Sequence, residues 1–322
     1  MKAYVYGVNG AAIADVPKPA PKGTQVLVRV RACGLNRADL GMAKGHVHGS
    51  AGGAGAVLGM EWAGEIAEVG PEAKGVNVGD KVMGSGAAAF AEYTLADHGR
   101  LFRTPSNMNF EEAASLPVAL ATMHNAVVTN GSLQPGQSVL IQGASSGVGL
   151  MALQIAKLKG AKLVIGSSTD ATRRARLKEF GADLAVDSSD PGWVDQVLKA
   201  TGGEGVDLII DQVSGKVANQ NLAATKVKGR IVNVGRLGGT HADFNFDLHA
   251  ARRIHYIGVT FRTRSIDEIR EIFGEVRKDI WPAVESRKLQ LPIDKVFAFD
   301  DIGKAFEHME ANRHLGKIVV AL

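Results

Sequence analysis

From about residue 119 onward, short apolar runs alternate with stretches whose hydrophobic positions recur every three or four residues. The runs at 138–142, 162–166, 184–186, 206–210, 230–234 and 255–260 predict strands. Helices are predicted around 120–129, 147–159, 172–180, 192–200, 216–226 and 247–252. Strands and helices taking turns in this way predict an α/β fold, a doubly wound parallel sheet with right-handed crossovers. Residues 1 to about 118 read differently. Short strands at 3–6, 25–32, 64–69, 81–83 and 90–95 are separated by turn dipeptides such as Gly70-Pro71 and Gly79-Asp80. The end of the chain is helical over 266–287 and 301–312, and a strand at 316–322 is expected to rejoin the β-rich part. Two domains follow, 1–118 with 262–322 and 119–261, with an active-site cleft expected between them.

The segment Ser138-Val-Leu-Ile-Gln-Gly-Ala-Ser-Ser-Gly-Val-Gly149 carries the strongest chemical signal. A buried-strand run enters a glycine-rich turn, and a helix with an apolar face follows. That order is what a dinucleotide-binding βα turn requires. Gly143 permits the tight exit from the strand, Gly147 lets backbone N–H groups approach a pyrophosphate, and Gly149 lets the helix pack closely on the sheet. The helix N-terminus adds partial positive charge and unpaired donors. Ser145, Ser146, Gly147 and Val148 are therefore candidate cofactor contacts.

Composition narrows the picture further. At 322 residues, with 45% hydrophobic and 22% charged residues, the chain is a globular protein too long for one ordinary core. No apolar run is long enough to span a bilayer. The start, Met1-Lys-Ala-Tyr-Val-Tyr, reads directly as a strand with no signal-peptide core, so a cytoplasmic location is expected. The single cysteine, Cys33, excludes an intrachain disulfide framework and every multi-cysteine zinc site. A net charge of +4 with dispersed Lys and Arg gives no reason to expect nucleic acid. The basic run Arg173-Arg174-Ala175-Arg176 is better explained by a cofactor phosphate.

Several segments then align with one family: Ala32-Cys-Gly-Leu-Asn-Arg-Ala-Asp-Leu40, Leu58-Gly-Met-Glu-Trp-Ala-Gly64, Glu68-Val-Gly70, Gly79-Asp-Lys-Val82, Phe90-Ala-Glu-Tyr93, Ser115-Leu-Pro117, the glycine turn, and Gly316-Lys-Ile-Val319. In this order the chain resembles the medium-chain dehydrogenase/reductase superfamily, in its zinc-free NADPH:quinone oxidoreductase branch. The resemblance implies a Rossmann domain plus a β-rich GroES-like catalytic domain. It also implies no catalytic metal. Asn36 stands where the zinc-dependent relatives place a cysteine ligand, and Met60 where they place a histidine; a carboxamide and a thioether do not form a catalytic zinc site. His46 and His48 read as loop histidines without a third ligand.

The same resemblance implies NADPH. Ser168 takes the place of the acidic residue that selects NAD, next to Ser167, and Arg173 falls where this branch carries a phosphate-binding cation. A solvated helix face capped by Asp170 is the plainer alternative for the arginines. Further cofactor contacts carry over by position: Thr122 and Ser188; Val234, Gly235 and Arg236 at the end of the fifth strand; Val259, Thr260 and Phe261 at the end of the sixth; and Arg313. Asp211 is expected to set loop geometry. Asn36 and Asp39 are the candidate catalytic pair, Asn36 donating to the nicotinamide ribose or the acceptor oxygen and Asp39 orienting Asn36 or a neighbouring arginine. Arg37 is a cofactor candidate, with a salt bridge to Asp39 as the alternative. The family's tyrosine is missing from residues 41–57, a stretch of small residues that reads as a mobile lid.

The implied reaction is hydride transfer from NADPH to a small quinone without a metal. The alternatives are an enoyl or acrylyl reductase and a non-catalytic NADPH-binding protein, structural or RNA-associated. A homodimer is expected through a β-rich segment at 240–247 and the edge strand at 254–261.

Overall fold

The computed structural model describes residues 1–49 and 51–322 and divides the chain into two compact units, Met1–Ala121 with Phe261–Leu322, and Thr122–Thr260. Phe261 thus opens the second stretch of the first unit.

The unit Thr122–Thr260 holds six strands in the spatial order Leu184–Val186, Leu163–Ser167, Ser138–Gln142, Val206–Asp211, Thr225–Asn233 and His255–Gly258. Every neighbouring pair is parallel. In chain order this is 3-2-1-4-5-6, the doubly wound arrangement whose ligand sites lie at strand C-termini. All five residues of Ser138–Gln142 are buried, because helices cover both faces of a central parallel strand. Leu140, Ile165, Ile209 and Ile231 pack with Trp193, Val197 and Leu222 in one core.

The unit has three departures from expectation. The helix Pro117–His124 runs on into a π-helical turn, Asn125–Asn130, rather than continuing as α. The helix Ala218–Ala224 stops where the Thr225 hydroxyl donates to the Asn221 carbonyl, and the next strand starts at Thr225 rather than 230. The β-rich reading of 240–247 is corrected: no strand is found there, and the segment is irregular until the helix Phe246–Arg252. The alternating Phe244 and Phe246 imitate a strand pattern. Their rings instead pack on each other at 5.0 Å, with Tyr256 5.8 Å from Phe244. Asn245 meanwhile caps the helix through the Leu248 N–H.

The other unit is built on a seven-stranded sheet. Its continuous path runs Ile293–Ala298, Lys317–Ala321, Gln25–Gly34, Glu61–Val69, Lys81–Ser85 and Leu101–Arg103; Tyr93–Asp97 also pairs with Gln25–Gly34. The closing strand does rejoin this sheet, with Val320 opposite Cys33. Trp62, Phe90, Leu35 and Met42 are buried in the core with Phe306 and Ile318, each large side chain contributing about 1.5–3 kcal/mol of transfer free energy. The hairpin of Lys2–Gly7 with Gly10–Asp15 was not predicted, although Asn9-Gly10 is a hairpin signal. The predicted helix 266–287 is two helices, Ile266–Asp279 and Trp281–Glu285, because Pro282 restarts the second near its N-terminus. Within 41–57, Val47–His48 pairs with Ala51–Gly52 as a short hairpin.

Candidate active site

The dinucleotide turn is assembled as its residues demand. Gly143 adopts φ +70° on leaving Ser138–Gln142, a conformation that favours glycine. The helix Gly147–Leu158 starts at Ser146, whose Oγ accepts the Gly149 N–H at 3.1 Å and lies 2.9 Å from the Gly143 carbonyl oxygen. At Gly149 an added Cβ would stand 2.6 Å from the Ala144 Cα and from the Gly143 carbonyl oxygen, so helix and turn approach too closely for any side chain. The first-turn amides of Gly147 and Val148 have no intrahelical partners and suit an anion.

The second strand ends beside this turn. Ser167 is fully buried; its hydroxyl donates to Gln142 Oε1 at 2.6 Å and accepts the Gly143 N–H at 3.0 Å, bracing the turn from inside. The Ser168 hydroxyl donates to Ser145 Oγ at 3.1 Å. Asp170 caps the helix Ala171–Arg176 by accepting the Arg173 N–H at 2.8 Å, and the Arg173 Nε stands 3.7 Å from the same carboxylate. Arg174, a member of the basic run not singled out from it by the sequence, donates to the Ser168 carbonyl (2.8 Å) and to Asp187 (2.9 Å). Ser188 follows Asp187 in the turn after Leu184–Val186 and is half-buried. The pairing of a cation next to Ser168 with an acid at the end of the neighbouring strand was the signal that could have singled Arg174 out.

Strand ends carry all but one of the remaining candidates of this unit. Asp211 is buried, which raises its carboxyl pKa, and it accepts the N–H groups of Val213 and Ser214 at 2.9 and 2.8 Å, the loop-setting role expected of it. Val234 donates its N–H to the Asp211 carbonyl at 2.7 Å, Gly235 accepts the Ser214 hydroxyl at 2.6 Å, and Arg236 is exposed. A cavity of about 380 Å³ opens here, lined by Ser214, Asn233, Arg236, His241, Asp243 and Tyr256 among others. Val259 is buried and joined to the Asn233 carbonyl; Thr260 is half-buried. Thr122 is half-buried on the helix Pro117–His124.

In the other unit Asn36 and Asp39 lie in a compact polar cluster at the end of Gln25–Gly34. Asn36 precedes the short helix Arg37–Met42, and its backbone N–H donates to Asp39 Oδ2 at 2.7 Å. Asp39 is fully buried, and burial pushes its carboxyl up to about 7 although the Asn36 N–H and the Lys317 charge pull the other way. Two residues missing from the sequence-based set complete the cluster. Lys317 Nζ stands 2.5 Å from Glu61 Oε2 and 3.0 Å from Asn36 Oδ1, and Asn36 Nδ2 donates to Glu61 Oε2 at 3.1 Å. A charged residue as the first residue of a strand, as both Glu61 and Lys317 are, was the available signal. Arg37 reaches the Met309 carbonyl (3.2 Å) and Asn312 Oδ1 (2.7 Å). Arg313 is exposed, and Phe261 is half-buried with the Arg264 guanidinium 6.0 Å from its ring centre.

The two-unit fold agrees with comparisons to known proteins. Residues 147–277 match the family described as zinc-binding dehydrogenase, and residues 22–106 match the alcohol dehydrogenase GroES-like domain. The chain belongs to the medium-chain dehydrogenase/reductase superfamily of oxidoreductases, which bind NAD or NADP, and its two units are the GroES-like and Rossmann-like halves of that fold. It is 32% identical over 315 residues to the type I phenolphthiocerol synthesis polyketide synthase of Mycobacterium marinum; the match takes in 96% of this chain but only 14% of that much longer protein. It is 28% identical over 311 residues to quinone oxidoreductase-like protein 2 of Bos taurus, covering 95% of this chain and 87% of the relative. The solved CurK enoyl reductase superposes with a TM-score of 0.86 at 27% identity, covering 99% of each chain.

The family description raises a zinc ion, and the donor set does not fit one. Asn36 and Met60 offer a carboxamide and a thioether at the two positions expected to hold ligands. The nearby carboxylate, Glu61, is already paired with an ammonium that would repel a dication. Among the described residues no group of three or more His, Cys, Asp or Glu side chains could hold a metal. No helix among them is long and apolar enough to cross a membrane.

Proposed function

We propose that this protein is a cytoplasmic NADPH-dependent reductase of acceptors conjugated to a carbonyl, with small quinones as its first substrate class. The observation that carries this reading is the Asn36–Glu61–Lys317 cluster. A carboxamide backed by a buried ammonium can stabilise negative charge on an acceptor oxygen, where zinc relatives rely on a metal. A dihydronicotinamide, when bound, supplies the hydride. The quinone would take up that hydride, two electrons with one hydrogen, and one proton from water to become the hydroquinone. The Rossmann unit offers the residues to hold the cofactor: Ser145, Ser146, Gly147 and Val148 around the pyrophosphate, Ser167, Ser168, Arg173 and Ser188 toward the adenosine end, and Thr122, Val234, Gly235, Arg236, Val259 and Thr260 toward the nicotinamide. Arg37, Phe261 and Arg313 are further candidates for contact with the cofactor. Asn36 faces the acceptor in this reading and Asp39 holds its backbone.

Reduction of an enoyl substrate is the second reading, favoured by the resemblance to a polyketide synthase and to the CurK enoyl reductase. It differs in one demand: a proton must be placed on carbon, whereas quinol oxygens take theirs from water. Steady-state NADPH oxidation against para-quinones, 2-alkenals and acrylyl thioesters separates the two. Turnover of quinones at least tenfold more efficient than of thioesters supports the first reading, and the reverse order replaces it. A homodimer joined through the edge strand His255–Gly258 belongs to the same proposal, and a sedimentation mass of one chain at micromolar concentration would remove it.

A further inference from the structure

Lys317 is 5% exposed and Glu61 is fully buried. Besides the bonds to Lys317 and Asn36, Glu61 uses its other oxygen, Oε1, to accept the Val118 N–H at 2.7 Å. Ammonium, carboxylate and carboxamide thus close a ring in which each member touches the other two. The backbone is shaped around it: a Cβ on Gly34 would stand 2.7 Å from Glu61 Oε2 and 3.2 Å from Lys317 Cε.

Stability does not demand such an ion pair. A buried pair loses hydration on both sides, and replacing it by neutral side chains of similar volume is often harmless to stability. What neutral side chains would not supply is a fixed positive charge 3.0 Å from the Asn36 carboxamide oxygen. That charge admits only one amide orientation, because the flipped one would set an NH2 group against an ammonium. It also draws electron density toward Oδ1 and makes the amide hydrogens better donors. One of those hydrogens is held by Glu61, while the other makes only a long bond of 3.3 Å to the Gly34 carbonyl, a weak contact that a better acceptor can displace.

We propose that Lys317 is the internal cation of a metal-free site, a positioning residue that orients and polarises Asn36 for the oxygen of the acceptor. Glu61 is its fixed counterion. The inference rests on the functional reading above, and the test keeps the two apart.

Three variants of the full chain are compared: Lys317→Met, the neutral pair Lys317→Met/Glu61→Gln, and that neutral pair in an Asn36→Ala background. Lys317→Met leaves Glu61 unpaired and is expected to melt lower. The neutral pair removes both charges and should regain the parental melting temperature, while kcat stays down by roughly 10- to 100-fold with KM for NADPH within about twofold. With Asn36→Ala, the neutral pair should cost less than about twofold more, because Lys317 acts through Asn36. A neutral pair with parental kcat, or losses that multiply in full in the Asn36→Ala background, overturns the proposal. A second readout needs neither turnover nor a variant that folds poorly. The Asn36 side-chain amide protons, assigned by their loss in Asn36→Ala, should exchange slowly with solvent in the parent and at least tenfold faster in Lys317→Arg, whose planar head cannot hold the same ring. Unchanged exchange in Lys317→Arg overturns the proposal as well. Failure of the parent to reduce any acceptor would sink the functional reading alone, leaving the orientation of Asn36 to be decided by exchange.

Discussion

The two candidate centres of this chain are built on opposite principles. The Rossmann turn works with backbone: a positive φ at Gly143, a close approach at Gly149, and amides at the start of a helix. Its parts lie within a dozen consecutive residues. The GroES-like cluster works with side-chain charge, and Glu61 and Lys317 are 256 residues apart. A centre made of backbone tolerates changes in side-chain chemistry but no added volume. A centre made of buried charge tolerates modest changes of volume but no loss of a partner. The comparison can be broken from either side.

The largest effect is expected from Glu61→Ala. It leaves the Lys317 ammonium buried and unpaired and the Val118 N–H without its acceptor. Loss of one partner of a buried pair costs about 3–5 kcal/mol, read as a fall in the denaturant midpoint at neutral pH. A loss below about 1 kcal/mol would mean that water already reaches the pair, and the charge-based account of this centre would fall.

Next comes pH. The Asp39 carboxyl titrates near 7 in the folded chain and near 4 when unfolded, so between those values the native state holds a proton that the unfolded state has released. Stability from this group is therefore full below about pH 4, declines as pH rises to 7, and is level above; the whole change amounts to no more than about 4 kcal/mol. Asp97 is the counter-example in the same unit. Burial works against its charge, but the hydrogen bonds from Arg270, Thr24 and Gly99 outweigh it and hold the carboxyl at about 2, so its contribution is lost only as pH falls from 4 toward 2. Asp39→Asn should flatten the stability profile between pH 5 and 7.5 and leave the acid limb unchanged. A parallel profile in parent and variant would show that Asp39 is ionised throughout.

A smaller effect is expected at Gly149, where the backbone principle is tested. Gly149→Ala places a methyl 2.6 Å from main-chain atoms of Gly143 and Ala144. Overpacking of this kind costs about 1–3 kcal/mol, and the shift of the helix start should weaken NADPH binding, measured by cofactor fluorescence, by at least roughly tenfold. Normal binding would show that the turn can open without harm.

The same contrast explains what could be read in advance. The parallel sheet and the strand–glycine turn–helix unit are legible because each signal is local and its parts follow one another in sequence. The Phe244–Phe246 alternation misled because aromatic spacing says nothing of whether a ladder partner exists, and here the rings pack on each other and on Tyr256. Asn36 and Asp39 are proposed from their motif alone. Glu61 and Lys317 could not be joined, since a lone charge in sequence reads as surface, and only folding shows that the two strands they open converge on Gly34.

The smallest predicted effect lies at the adenosine end of the backbone-built centre, the one place where it too depends on charge. Arg173 is largely buried against Asp170, its side chain 15% exposed, whereas Arg174 is tied to Asp187 and the Ser168 carbonyl. If Arg173 meets a 2′-phosphate, Arg173→Ala removes a charge-assisted contact that NADH never makes. The ratio of kcat/KM for NADPH over NADH should then fall about tenfold, or about 1.4 kcal/mol, with the NADH value itself unchanged. Arg174→Ala serves as the control: loss of its bonds to Asp187 and Ser168 loosens the adenosine end for both cofactors alike, so both values should fall together. If instead the ratio moves with Arg174→Ala and not with Arg173→Ala, the phosphate partner is Arg174, and Arg173 belongs to the capped helix face that Asp170 begins.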